Sequence, residues 1–499
     1  MSTTASCSVS SSASASGPQI TNYQLLITNY KFLFPLLLVL LASCAVGPNY
    51  KSPPVNRPSS FRGPVPEFST NLSAELRWWE IFKDAPLQNL IREALTNNYD
   101  VRIAATRVEQ ARAVLQQNRG AFFPQVNYQA QAGRAKNATV STPVFNHGAT
   151  SDYFLFGGTT QWEIDFWGRV RRLNESARAQ LLASEESRRD VLLSILSEVA
   201  QGYFQLLALD AELQIAKRST NSFGESLRIF TERLQGGIVS KLEAAAAQAA
   251  LASAAATVPD LERRIFEQEN QLNFLVGRNP GSVPRDLSIL QQQSLPVIPP
   301  GLPSSLLQRR PDVRQAEELV RSANAQIGVA VANFFPQFSL TALLGQVSPE
   351  LSALTSGGAN AWNIGANLAG PIFQGGRLVG QYRQARAARD EAALHYQSVV
   401  LNAFQEVSNA LMERQKFEEQ RVQQAVAVQA YSTAVQVALD RYVAGKASYY
   451  EVLQEQQLLF PAENALAQVQ LSQLLAVVQL YRALGGGFSG SDDNAPSSK

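Results

Sequence analysis

From Trp167-Gly168-Arg169 to Arg233-Leu234-Gln235-Gly236-Gly237 the chain carries no proline. At about 1.5 Å of rise per residue, a helix over 168–235 is roughly 100 Å long, several times the length of an ordinary globular helix. A rod of that length must be covered along its side by others like it. The chain supplies one, because Gly376-Arg377 to Arg441-Tyr442-Val443-Ala444-Gly445 repeats the pattern with the same internal spacing. Two such rods suggest a long, elongated object rather than a compact enzyme.

The 499 residues carry a net charge of only +2, which argues against nucleic acid as a partner. The one long apolar run, Phe32 to Leu41, is too short to span a bilayer and follows Lys31. It reads as the core of a secretory signal over 1–43. Ile20-Thr21-Asn22-Tyr23 recurs as Ile27-Thr28-Asn29-Tyr30, which suggests a start codon further downstream. Leu41-Ala42-Ser43-Cys44 resembles a bacterial lipobox, so Cys44 is expected to become a lipidated N-terminus anchored by several acyl chains. Ala45 stands where an Asp would favour retention in the inner membrane, which points to the outer one. With Cys7 in the leader, Cys44 is the sole cysteine left, so no disulfide or thiolate metal site is expected. No cofactor is expected beyond that covalent lipid. Residues 44–72 read as an extended strap lying on a surface, with six prolines between Gly47 and Pro66.

A first structural unit spans 73–278. Trp78, Trp79, Ile81 and Phe82 form an anchoring cluster, followed by Leu87, Leu90, Ile91 and Leu95 at helical spacing. A helix over 100–121 stops at Phe122-Phe123-Pro124, since the residue before a proline is pushed to extended geometry. A hairpin is expected at about 124–166. Val126, Tyr128, Ala130 and Ala132 alternate with polar neighbours, as do Thr160, Trp162, Ile164 and Phe166. After the long helix the chain turns at Gly236-Gly237 and returns along 241–276. The alanines of 244–256 suit either a simply stable helix or close lateral packing, and Pro259 should kink or interrupt the run. A proline-rich linker at 279–303 precedes a second unit at 304–487, with a hairpin at about 336–373, a long helix at 376–443 and a return helix. The tail 488–499 reads as disordered.

The two units are copies. Asp100-Val101-Arg102 matches Asp312-Val313-Arg314, Phe122-Phe123-Pro124-Gln125 matches Phe334-Phe335-Pro336-Gln337, and beyond the hairpins Arg169, Arg233, Gly237, Ser240 and Gly277 match Arg377, Arg441, Gly445, Ser448 and Gly485. Val191, Leu192, Ile195, Leu196, Val199 and Tyr203 mark a coiled-coil-like seam, repeated at Val399, Val400, Ala403, Phe404, Val407 and Leu411. Four strands of membrane-crossing length cannot close a barrel, and an open sheet edge does not survive in lipid. The expected fold is therefore mixed α and β but mainly helical. It combines a long-helix, coiled-coil-like α-barrel with a β-barrel shared between subunits, and its polar inner faces favour twelve strands from a homotrimer.

These features together resemble the outer membrane factor family, the TolC-like and especially the lipid-anchored OprM-like channels. The likeness covers nearly all of 44–487. It rests on Cys44-Ala45-Val46-Gly47-Pro48-Asn49-Tyr50, Arg309-Arg310-Pro311-Asp312-Val313-Arg314, Phe334-Phe335-Pro336, Gly375-Gly376-Arg377, Arg441-Tyr442-Val443-Ala444-Gly445 and Leu480-Tyr481-Arg482-Ala483-Leu484-Gly485-Gly486-Gly487. The resemblance implies a trimeric conduit in the outer membrane, extending into the periplasm, whose tips dock onto a membrane-fusion adaptor and thence an inner-membrane pump of the RND or ABC type. It places the docking tips at Arg233, Leu234, Gly237 and Ser240 and at Arg441, Tyr442, Gly445 and Ser448, although each Gly can equally be only a turn former. Tyr442 fits the family's latch tyrosine. Val443 and Gln454 depart from the pattern, where a close relative would have an arginine and an aspartate. Glu232, Arg233, Asp440 and Arg441 are then substitute gate candidates beside Tyr442, or charges near helix ends serving as dipole partners. Arg309-Arg310-Pro311-Asp312 reads as a structural helix start.

Enzyme chemistry finds no support. His147 and His395 belong to no Ser/His/Asp constellation, and Gly375-Gly376 lacks the spacing of a dinucleotide site. Glu163 and Asp165 could pair as acid and base, but alternation makes them lumen-facing wall. The function expected is a passive exit duct for drug or metal efflux. The alternatives are an outer portal for type I protein secretion and a non-porous, lipid-anchored coiled-coil scaffold.

Overall fold

In a computed structural model the described residues are 45–63, 84–136, 150–292, 303–355 and 357–486. Cys44, the signal segment, the Trp78–Phe82 cluster, His147 and the tail lie outside them. The elements run α1 (Ala85–Asn97), α2 (Tyr99–Gly120), β1 (Gln125–Lys136), β2 (Thr150–Ile164), α3 (Arg169–Gln235), α4 (Lys241–Leu275), α5 (Pro303–Arg309), α6 (Pro311–Ala332), β3 (Gln337–Ser348), β4 (Asn360–Ala369), α7 (Arg377–Val443) and α8 (Tyr449–Ala483). Both long helices have 67 residues, and the order helix, hairpin, long helix, return helix occurs twice. The chain divides into two compact units, one holding Ala121–Arg172 and Gly328–Leu378, the other Pro48–Gly120, Leu173–Ile327 and the chain from Val379.

The first unit holds one antiparallel sheet in the order β1-β2-β3-β4. Its register aligns Val126, Thr160, Ala342 and Ile364 in one cross-strand row, and Tyr128, Gly158, Leu344 and Trp362 in the next. Directly opposed residues share a face, so the apolar sets of all four strands fall on one side. That side is exposed, with Tyr128 at 86%, Trp362 at 74% and Ile364 at 77%. The opposite face carries Asn127, Gln129, Gln161, Thr341, Asn363 and Asn367, interrupted by Leu155, Leu343 and Val347. Gly157 and Gly345 oppose each other where β2 and β3 come close. A Cβ on Gly345 would lie 2.4 Å from the Phe156 carbonyl oxygen.

Glu163 and Asp165 have structural partners that strand alternation does not reveal. The Arg169 guanidinium grips the Glu163 carboxylate, with its Nε donating at 2.8 Å. Asp165 lies past the end of β2 rather than on its wall. Its carboxylate accepts from the backbone N–H groups of Val170 and Arg171 at 3.0 and 2.9 Å, which caps the start of α3. Trp167 stacks on Phe335 at 4.5 Å and donates to the Pro336 carbonyl at 2.8 Å.

The second unit has a helical core. Ile195, Leu196, Val199 and Tyr203 of α3 are buried with Val400, Ala403, Phe404, Val407 and Leu411 of α7, as the seam spacing requires. The end of α4 meets the start of α2, where the Asn98 side chain donates to the Leu275 carbonyl at 2.7 Å. The second copy builds its equivalent junction with Arg310, which donates to Glu406 at 2.6 Å, Asp312 at 2.6 Å and the Ala483 carbonyl at 3.1 Å. Pro311 occupies the first position of α6, where no N–H is needed.

Two expectations need correction. The strap is not confined to a surface: Pro53 is buried, and Phe61, only 5% exposed, joins the core 6.3 Å from Phe404. Tyr50 donates to Glu317 at 2.9 Å beneath the Arg321 guanidinium, and the Pro48 and Pro54 carbonyls accept from Asn324 and Gln397. A proline-rich segment has few N–H groups of its own to satisfy, so its carbonyls and occasional aromatics can be stapled to helices without a sheet or helix forming. Nor does Pro259 interrupt α4, which runs through it. Pro259 is exposed, so the carbonyl it leaves without a donor can be hydrated, while buried Ala254 and Leu261 hold the helix on either side.

Candidate functional site at the helix tips

The two helix-turn-helix tips have the same backbone because they solve the same stop problem. At the first, the Gly237 and Ile238 N–H groups donate to the Leu234 and Arg233 carbonyls, and Gly237 sits at φ 72°. At the second, Gly445 and Lys446 donate to Tyr442 and Arg441, again with φ 72° at the glycine. Both are Schellman ends, which need a left-handed residue and favour Gly. Neither glycine has an atom within 4 Å of where a Cβ would stand, so conformation rather than crowding selects it.

The turns differ in how the return helix starts. Ser240 caps α4 reciprocally, its hydroxyl accepting from the Glu243 N–H at 3.3 Å while Glu243 accepts from the Ser240 N–H at 2.8 Å. Ser448 caps α8 by accepting from the Tyr450 N–H at 3.2 Å. Its matching carboxylate, Glu451, turns instead to Arg441 at 3.1 Å and joins the end of α7 to the start of α8.

Beneath the turns the tips share an apolar cluster that includes Phe223, Phe230, Ala247, Ala250, Tyr449 and Leu453. Three alanines of α4, Ala247, Ala250 and Ala254, are buried in this cluster. Tyr449 is the hub. Its ring meets Phe230 edge-on at 5.5 Å and Tyr442 at 4.9 Å, and its hydroxyl lies 3.3 Å from Ser226 Oγ, which donates to Gln456 at 3.0 Å. The Arg233 guanidinium stands over the Tyr442 ring at 4.7 Å. Each aromatic pair is worth about 0.5–1.5 kcal/mol, and the cation–π contact about 0.5–1 kcal/mol at an exposed site.

The structure therefore brings Arg233 and Tyr442 together across the tips. Glu232 and Asp440 make their contacts along their own helices, Glu232 to Arg228 at 2.9 Å and Asp440 to Gln436 at 3.1 Å. Arg228 also donates to Glu225, and the two carboxylates raise its pKa above the ordinary arginine value. Leu234 is half-buried, while Ile238 and Leu242 are 72% and 78% exposed beside it. Phe230 and Tyr449 were not singled out from the sequence. The seven-residue spacing of Phe223 and Phe230, opposite an alanine run, is the signal that could have found the first.

The profile of the outer membrane efflux protein family matches residues 90–278 and 302–486, once for each copy. The probable efflux pump outer membrane protein TtgC of Pseudomonas putida is 34% identical over 458 residues, covering 90% of this chain and 94% of that protein. The cation efflux system protein CusC of Escherichia coli is 31% identical over 466 residues, covering 91% and 98%. Among solved structures, the CmeC outer membrane channel of Campylobacter jejuni superposes with a TM-score of 0.80 at 30% identity, over 90% of this chain and 96% of that one. Sheet, long helices, duplication and these likenesses agree: the chain belongs to the outer membrane efflux protein family, channel proteins of the outer membrane.

Proposed function

We propose that three copies of this chain form one passive exit duct of a tripartite efflux system. The observation that carries this reading is the sheet: one face apolar and exposed, the other largely polar, with β1 and β4 both unpaired edges among the described residues. In lipid such edges must be satisfied, and because all four strands alternate in direction, β4 of one copy meets β1 of the next in antiparallel sense. Three copies give twelve strands around a polar lumen. Lipid on Cys44 anchors each copy, the tips meet a periplasmic adaptor, and an inner-membrane pump supplies the energy.

The exposed Ile238 and Leu242 beside Leu234 offer the adaptor an apolar surface, and Ser240, Gly237, Gly445 and Ser448 hold the turns that present it. Tyr442, clasped between Arg233 and Tyr449, is the gate residue this geometry favours, with Arg441–Glu451 bracing the turn. Relatives are named for toluene and for cations, unlike cargoes served by one fold, which suits a duct whose pump selects the cargo. Conductance of the purified, lipidated protein in planar bilayers tests the reading. Discrete channel openings are expected, and their absence from correctly assembled protein would favour the scaffold.

A further inference from the structure

In the helical unit, α2, α3 and α6 line a half-open cavity of about 240 Å³. Two arginines line it, Arg107 from α2 and Arg188 from α3, with Ser187 and, on the apolar side, Ala104, Ala183 and Leu319. Neither guanidinium has a carboxylate partner among the described residues. Glu109 is taken by Arg112 at 2.5 Å, Glu185 lies 3.8 Å from the same Arg112, and Glu186 pairs with Arg189 and Arg314, both at 2.8 Å. Arg188 Nε is buried and has no hydrogen-bond acceptor among the described residues. Arg107 is exposed and Arg188 half-buried, so the cost falls on the shielded Arg188 Nε, which an anion held between the two guanidinium groups would satisfy.

The cavity has a definite side. On α6, Glu317, Arg321 and Asn324 hold the strap at Tyr50 and Pro48, whereas Gln315 and Leu319 line the cavity. At 100° per residue these two sets point in opposite directions from the helix axis. On the duct reading the strap leads from a lipid on Cys44, so its start, where Pro48 is exposed and Tyr50 half-buried, lies on the outside of the tube. The opposite face then looks into the lumen.

We infer that this cavity is a luminal binding site for small amphiphilic organic anions, in which Arg107 and Arg188 receive a carboxylate or sulfonate and Ala104, Ala183 and Leu319 receive its apolar body. The inference rests on the duct reading only for the placement in the lumen. Its chemistry follows from the cavity alone. Three copies put three such sites at one level of the conduit, a cationic ring past which anionic cargo is drawn.

The test uses naphthalene-2-sulfonate, with 2-naphthol and 2-naphthylmethylammonium as neutral and cationic probes of similar apolar body. Fluorescence titration of the purified full-length protein should show sulfonate binding about tenfold tighter than either control, a preference that R107Q/R188Q abolishes and R107K/R188K retains. In planar bilayers the sulfonate should reduce single-channel conductance of the wild type but not of R107Q/R188Q. Equal binding of sulfonate and 2-naphthol, or equal sulfonate binding by wild type and R107Q/R188Q, overturns the site. Loss of oligomer in R107Q/R188Q without sulfonate binding by the wild type also overturns it, by assigning the arginines to contacts between copies. Sulfonate binding as expected in a protein that conducts no current leaves the site standing and refutes the duct.

Discussion

Replacing Gly445 by proline is a sharp perturbation of the tips because its cost can be worked out from the backbone alone. Gly445 stands at φ 72°, and its N–H donates to the Tyr442 carbonyl at 2.9 Å. Proline fixes φ near −65°, removes that donor and crowds Ala444, so the Schellman end must be rebuilt at a cost of about 3 kcal/mol or more. Rebuilding it displaces Tyr442 and Tyr449, whose ring contact at 4.9 Å closes the shared cluster. Gly445→Ala calibrates the effect: with nothing within 4 Å of the added Cβ, only the left-handed backbone is penalised, at about 1 kcal/mol. In a strain lacking its own outer channel but carrying the cognate adaptor and pump, Gly445→Pro should abolish drug resistance and Gly445→Ala should leave most of it. Oligomer and membrane insertion, measured on the same cells, should be normal for both, because the sheet is a separate compact unit. Resistance retained by Gly445→Pro at normal expression refutes the tip-docking argument.

Three further outcomes follow from the same geometry. Phe230→Ala empties the centre of the tip cluster and should destabilise it by about 3–5 kcal/mol, seen as faster amide exchange in the tip helices while exchange in the sheet is unchanged. Arg310→Ala strips the buried cation from Asp312, Glu406 and the Ala483 carbonyl and should cost about 3 kcal/mol, read as a lower Tm, with Arg310→Lys recovering only part because the fork geometry is lost. Burial raises the Glu186 carboxyl above its ordinary pKa, against the lowering effect of Arg189 and Arg314. The folded state therefore holds this proton more tightly than the unfolded chain, so its contribution is fully present below the ordinary carboxylate pKa and is lost as pH rises through the raised folded value. Glu186→Gln should flatten that segment of the Tm-against-pH curve, and an unchanged slope would contradict the assignment.

The long helices and hairpins were legible because their cause is local. An uninterrupted apolar period over 168–235 and 376–443 can be satisfied only by a rod, and alternation from Val126 to Ala132 only by a strand. The helices occupy 169–235 and 377–443, and the duplication shows in both. What escaped is what depends on distant partners. Phe61 sits among prolines, and nothing in its neighbourhood announces a seat beside Phe404 in the core. Asp165 continues the alternation of β2 by sequence, but the free N–H groups at the start of α3 claim it. Pro259 breaks isolated helices, yet α4 is held by packing on both sides of it. At the tips the glycines and capping serines could be placed from their residue types, whereas the meeting of Arg233 with Tyr442 joins segments far apart in sequence and no local pattern encodes it.

The central claim is that each chain brings one part of a transmembrane wall and that sister copies complete it. Cysteine pairs scanned along the two outer strands, one at positions around Gln129 in β1 and one around Asn363 in β4, test this directly in lipidated protein recovered from membranes. With these strands at opposite edges of the sheet, oxidation at the matching register should give a covalent ladder that ends at three copies. A ladder that stops at two, or no cross-link at any register in properly inserted protein, would contradict the account.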